Sequence, residues 1–143
     1  MPERQPIVID TNILFSALLR SESHFTRTIL GSGETFFICE SAIVELFKHK
    51  ERIVQISRLT ETEVIRLFYI LLRHVTIAKE DLIDPAIRHK AYELCLGIDE
   101  ADTPHVALAL HLNGLLWTGD KTLRQGLEKQ GFDRFFDHTH ASR

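Results

Sequence analysis

Short apolar runs alternate along the chain with longer stretches of helical periodicity. "IVI" (7–9) reads as a buried strand, and "TFFI" (35–38), "VTIA" (75–78) and "LLWT" (115–118) read as further strands. Thr11 or Asn12 is expected to cap a helix running to about Leu19, and a second helix covers roughly Ser23 to Leu30 before "GSG" stops it. Ser41 is the expected cap of a helix through about Lys50. "ETEVIRLFYILLR" (61–73) is strongly helical, and Pro85 opens a helix to about Leu96. A helix from about Thr103 to Leu112 ends before Asn113-Gly114, another spans about Lys121 to Lys129, and a last edge strand is expected near Phe135. Strands separated by helices predict an α/β fold with a parallel sheet covered on both faces. With no linker, repeat or low-complexity block, the 143 residues are expected to form one domain over 1–143.

In such a sheet the binding crevice lies beyond the C-terminal strand ends, where strand order reverses. Asp10 ends the first strand and Asp120 follows "LLWT" by two residues, so both carboxylates are expected on one rim. Each has a plain structural reading as a helix cap, worth about 1 kcal/mol. The acids of "GIDEADTPHVALAL" (97–110) suit a helix N-terminus, and Glu45 shares a helical stripe with Ser41, Lys48 and His49 that solvent pairing explains. Together they say more. Carboxylates converging on one crevice repel by about 4 kcal/mol per pair at ~4 Å and an effective dielectric of ~20. A proton can relieve that by raising one pKa, but a hard divalent cation does it better. Mg²⁺ or Mn²⁺ takes oxygen ligands, and no His/Cys cluster beside these acids suggests zinc.

Composition changes the picture in two ways. Seventeen Lys and Arg against twenty Asp and Glu give a net charge of −3, so any polyanion must be drawn by a local basic patch or by metal. Two cysteines, Cys39 and Cys95, are expected as free thiols in a reducing compartment. "MPERQP" is too polar for a secretory signal and no apolar run approaches the ~20 residues of a membrane span, so a cytoplasmic protein without membrane contact is expected.

"VIDTNILFSALL", "SAIVELFK", "DEADTPHVALAL" and "LLWTGDKTL", in that order over about residues 6–131, resemble the motifs of the PIN-domain ribonucleases, a group that includes VapC-type toxins of toxin-antitoxin systems. The resemblance implies a three-layer α/β/α sandwich and a Mg²⁺- or Mn²⁺-dependent endoribonuclease that hydrolyses RNA with an activated water. It carries the family's acidic residues onto Asp10, Glu45, Asp102 and Asp120, as catalytic and metal-holding groups, with Asn12 and Thr118 supporting. Asp102 is preferred to Asp99 because the "VALAL" run follows it at the family's spacing, and Asp99 is kept as an outer or second-metal candidate. Glu45 is preferred to Glu40, which is expected at a strand end before its helix begins. Arg20, Lys48, Lys121 and Arg124 are the candidates for RNA phosphates, and relatives imply an antitoxin partner and a homodimer, for which Phe68, Tyr69 and Leu72 offer one helix face.

Other signals carry less. "DEAD" (99–102) comes without a phosphate-binding G-x-x-x-x-G-K-[ST] loop, and "GSG" (31–33) lacks a third glycine. His138 and His140 read as a solvated tail, His105 and His111 as structural or surface residues, and Cys95 as buried and inert. Trp117 and Phe68 suit the core. A haloacid-dehalogenase-like phosphatase would want a second Asp where Asn12 stands. A PIN-like module that binds RNA or protein without cleaving is the rival from another class.

Overall fold

A computed structural model of the chain describes residues 5–20 and 23–137, so His138 and His140 lie outside the described residues. Four strands, β1 (Ile7–Ile9), β2 (Phe36–Cys39), β3 (Val75–Ala78) and β4 (Leu115–Trp117), form one sheet in the order β3-β2-β1-β4. Every pairing is parallel. The chain builds outward from β1 to β3 and then returns to lay β4 on the free side of β1. Strand order therefore reverses at β1, and Ile9 stands in register with Trp117. The Asp10 N–H donates to the Trp117 carbonyl at 3.1 Å, so the segments carrying Asp10 and Asp120 leave the sheet side by side.

Among the described residues eight helices cover the sheet: α1 (Thr11–Leu18), α2 (His24–Gly31), α3 (Glu40–Lys48), α4 (Lys50–Ser57), α5 (Glu61–Leu72), α6 (Pro85–Cys95), α7 (Thr103–Leu112) and α8 (Lys121–Lys129). Alternation along the strands sorts the core into two layers. Ile7, Ile9, Phe36, Ile38 and Trp117 pack with α1 to α5, while Val8, Cys39 and Leu116 pack with α6 to α8. This is the three-layer α/β/α sandwich. Trp117 is fully buried, with the rings of Phe136 and Phe36 at 5.2 and 5.7 Å. Phe68 is only partly buried, against Phe47 at 5.7 Å, and of its neighbours on α5 Tyr69 is exposed. Both cysteines are free and buried, and burial holds the Cys95 thiol up at about 11. No helix among the described residues is long and apolar enough to cross a membrane.

Several local expectations need correction. Neither Thr11 nor Asn12 caps α1; Asp10 does, accepting the Ile13 N–H at 2.9 Å. Ser41 does not cap α3, which begins one residue earlier, so Glu40 is its first residue and lies inside the helix. The helix is capped from a distance. The Glu80 carboxylate, in a 3-10 turn after β3, accepts the N–H groups of Glu40 and Ser41 at 3.0 Å each. Although burial pushes the Glu80 carboxyl up, these bonds and the Ser41 hydroxyl outweigh it and hold its pKa low. Glu80→Ala removes the acceptor for two helix-end donors and is expected to destabilise the fold by about 1 kcal/mol, checked by urea unfolding.

The helix expected to end near Lys50 is instead followed by a second one, α4, with only His49 between, at φ −105° and ψ 14°. Ile53 buries into the core and anchors it. The strand expected near Phe135 is a single parallel bridge to Leu116. At the end of α7, Asn113 takes a left-handed φ of 53°, and the N–H groups of Asn113 and Gly114 close back onto Leu110 and Ala109.

Candidate active site

Asp10 is almost wholly buried, at 1% exposure, although it follows directly on a solvent-shielded strand and carries a charge-bearing group. Its Oδ1 is spent on the cap of α1. Its Oδ2 is buried with no hydrogen bond of its own. Burial raises the carboxyl above its ordinary value, with the charge of Asp120 adding to that, while the Thr118 hydroxyl and the Ile13 amide pull it back. Asp120 caps α8 in the same way, its Oδ1 accepting the Leu123 N–H at 3.1 Å. The Thr118 hydroxyl accepts the Asp120 N–H at 3.1 Å and so sets the turn that carries it. The capping readings of both acids are thus correct, and each cap engages one carboxylate oxygen.

Asp102 differs. It stands at the N-terminus of α7 but makes no side-chain cap bond there. Asp99, by contrast, caps the preceding 3-10 turn through the Ala101 N–H at 3.0 Å. The late start of α7 puts Asp99 and Asp102 in a turn, not on one helical face. Burial, then the charges of Asp10, Asp99 and Asp120, push the Asp102 carboxyl up to about 7. Asp10 and Asp120, far from Asp102 in sequence, therefore act on it through space, beside its near neighbour Asp99.

Beside them opens a cleft of about 500 Å³, lined by Thr11, Asn12, Ser41, Glu45, Asp99 and Asp102 among others. Glu45 enters from α3 on the opposite wall. It is half-exposed and faces Lys48 Nζ and His49 Nε2, each at 3.7 Å, the solvated pairing its helical stripe suggested. Among the described residues no group of three or more His, Cys, Asp or Glu is gathered closely enough to hold a metal ion. The acids at this rim offer oxygen donors, among them the buried Asp10 Oδ2, and oxygen donors suit a hard cation.

The cleft also holds two residues that the sequence did not assign to it, and of the structural and surface readings of His105 the structural one holds. His105 is buried, not solvated, and its Nε2 lies 3.2 Å from the Thr11 hydroxyl, tying α7 to the start of α1. Burial drops its pKa to about 4, so the ring is neutral near pH 7. Its dependence on a partner 94 positions away is invisible in an apolar helical pattern. Arg52 lines the cleft from the unexpected helix α4. The basic residues that were singled out lie elsewhere or are engaged. Arg20 is exposed just past the C-terminal end of α1, the end away from Asp10. Lys48 faces Glu45; Arg124 faces Glu128 at 3.5 Å and covers the Phe135 ring at 4.7 Å; Lys121 is exposed as the first residue of α8. His111 is exposed.

Comparison with curated proteins gave no match. The model of the PIN-domain family matches residues 8–138, nearly the whole chain. With its parallel three-layer fold and acids at the strand-order reversal, the chain belongs to the PIN-domain family.

Proposed function

We propose that the chain is a Mg²⁺- or Mn²⁺-dependent endoribonuclease, the toxin of a toxin-antitoxin pair, and that Asp10, Asp102 and Asp120 hold the ion with Glu45 contributing from the facing wall. The observation that carries this reading is the uncapped Asp102 at the head of α7, whose carboxyl is pushed up first by burial and then by the charges of Asp10, Asp99 and Asp120. A fold has no stabilising use for such repulsion, and a divalent cation relieves it. When bound, Mg²⁺ or Mn²⁺ neutralises the phosphodiester and activates water for in-line attack.

The residues divide the remaining work. Asp10 offers its buried Oδ2 from a rigid position, because its Oδ1 is fixed to α1. Thr118 holds the turn of Asp120 through its backbone N–H. Asp102, free of any cap bond, orients the attacking water, and Asn12 lines the approach. Asp99 serves at the outer edge. No protein nucleophile is needed.

Incubation with a mixed RNA and Mn²⁺ is expected to give cleavage that EDTA abolishes and that Asp10→Asn or Asp120→Asn lowers at least about 100-fold. Intact RNA under all these conditions would refute the nuclease reading. A PIN-like module that binds RNA without cutting it is the second reading, favoured by the ion pairs that engage Glu45 and by the spacing of the acids. Binding without metal-dependent cleavage would select it.

A further inference from the structure

We propose that Arg52 holds a phosphate of single-stranded RNA at the wall of the acidic cleft. This rests on the reading of the cleft as an RNA site and adds the group that draws the strand in.

A chain of net charge −3 whose cleft is lined by Glu45, Asp99 and Asp102 repels a polyanion unless a cation stands on its wall. Among the described residues, lysine and arginine reach this lining only through Arg52. Its charge is available: among the described residues no carboxylate makes an ion pair with it, whereas Glu45, the acid on the neighbouring helix, is matched by Lys48 and His49. Its position is held. The guanidinium lies 5.9 Å from the centroid of the Phe15 ring, a half-buried residue of α1 that lines the same cleft, and the adjacent Ile53 anchors α4 in the core. A guanidinium placed over an aromatic face keeps its edge donors free, and that planar fork matches a phosphate through two parallel hydrogen bonds. The half-buried Phe15 ring beside it is also the kind of apolar wall on which an unpaired base rests. Arg124, which covers Phe135 in a similar way, faces Glu128 and lies outside the lining.

The test is fluorescence anisotropy with a fluorescein-labelled, mixed-sequence single-stranded RNA, read in EDTA and again with Mg²⁺. Arg52→Gln is expected to weaken binding about 5- to 20-fold in both buffers and to lower the slope of log affinity against log salt by about 0.7. Arg52→Lys, which keeps the charge and loses the fork, should fall between them. Arg88→Gln, on α6 in the other layer, should match the wild type. Arg52 is exposed, so its variants are expected to melt with the wild type. Unchanged affinity and salt slope in Arg52→Gln would overturn the proposal, as would a wild type that binds no RNA in either buffer. RNA binding that depends on Arg52 but never leads to cleavage would support this inference and refute the nuclease.

Discussion

Asp102→Asn is expected to make the metal-free protein more stable while removing its activity. The sign follows from linkage. Folding raises the Asp102 pKa from an ordinary 3.8 to about 7, so between those values the folded chain holds the proton and the unfolded chain does not. Stability is therefore greatest below about pH 4 as far as this group is concerned, and it is lost as pH rises through 7. The Asn variant has no such loss. Three pKa units would amount to about 4 kcal/mol, but Asp102 is partly exposed and solvent screening reduces the gain at pH 8 to about 1–2 kcal/mol. Nothing offsets it, because the side chain makes no cap bond to α7 that the substitution would break. Cleavage should fall at least about 100-fold, as for any group that holds the ion or orients water. Thermal unfolding in EDTA at pH 5 and pH 8 reads the first effect: the gap between wild type and variant should be clearly smaller at the lower pH than at the higher. Equal separation at both would show that Asp102 is not under charge strain.

The second large effect concerns a residue without a side chain. Gly114 stands where α7 has closed and β4 begins, and a Cβ there would lie 2.4 Å from the Pro6 carbonyl oxygen and 3.1 Å from Pro6 Cγ. That oxygen accepts the Leu115 N–H at 2.8 Å, a bond at the entry to the β1–β4 ladder. A methyl group cannot share the space with backbone. Gly114→Ala should force the entry of β4 away from β1 and cost about 2–3 kcal/mol, or roughly 5–10 °C in melting temperature. Because the same pair of strands presents Asp10 and Asp120, cleavage should drop more than the loss of folded protein explains. Gly31→Ala is the control: nothing lies within 4 Å of a Cβ at that site, at the last position of α2. A Gly114→Ala protein as stable as the control would mean that β1 and β4 are less closely locked than described.

Sequence periodicity carried most of the fold. The four strands were legible because each is short and mainly apolar, and α6, α7 and α8 were legible because Pro85, Asn113-Gly114 and the polar segment before Lys121 punctuate them. Helix α4 was not legible. Its "KERIVQIS" has neither proline nor glycine at its limits, it ends on Arg58 with a left-handed φ of 61°, and its burial rests on Ile53. The cap of α3 was hidden for a different reason: its acceptor, Glu80, lies about forty residues away and meets it only when β2 and β3 pair. Such contacts have no local signature.

The site divides along the same line. Asp10 and Asp120 were readable from their places at strand ends, since strand-end position is itself a statement about the rim of a parallel sheet. The choice of Asp102 over Asp99 became a physical one only once their hydrogen bonds were known: Asp99 is committed to its turn and Asp102 is not. Arg52 and His105 were not assigned to the cleft because each acts through a partner on another helix, Phe15 in one case and Thr11 in the other. The four basic residues chosen by proximity in sequence illustrate the converse. None of the four is among the described residues that line the cleft, because distance along the chain from Asp10, Glu45 or Asp120 does not fix which elements wall it.

The central claim is that Asp10, Asp102 and Asp120 together hold a divalent ion. Isothermal titration of Mn²⁺ into the metal-free wild type, Asp10→Asn and Asp102→Asn tests it most directly. Saturable binding to the wild type is expected, with at least about 10-fold weaker binding in each variant, since each removes a charged oxygen ligand. Absence of binding to the wild type, or binding that neither substitution changes, would contradict it.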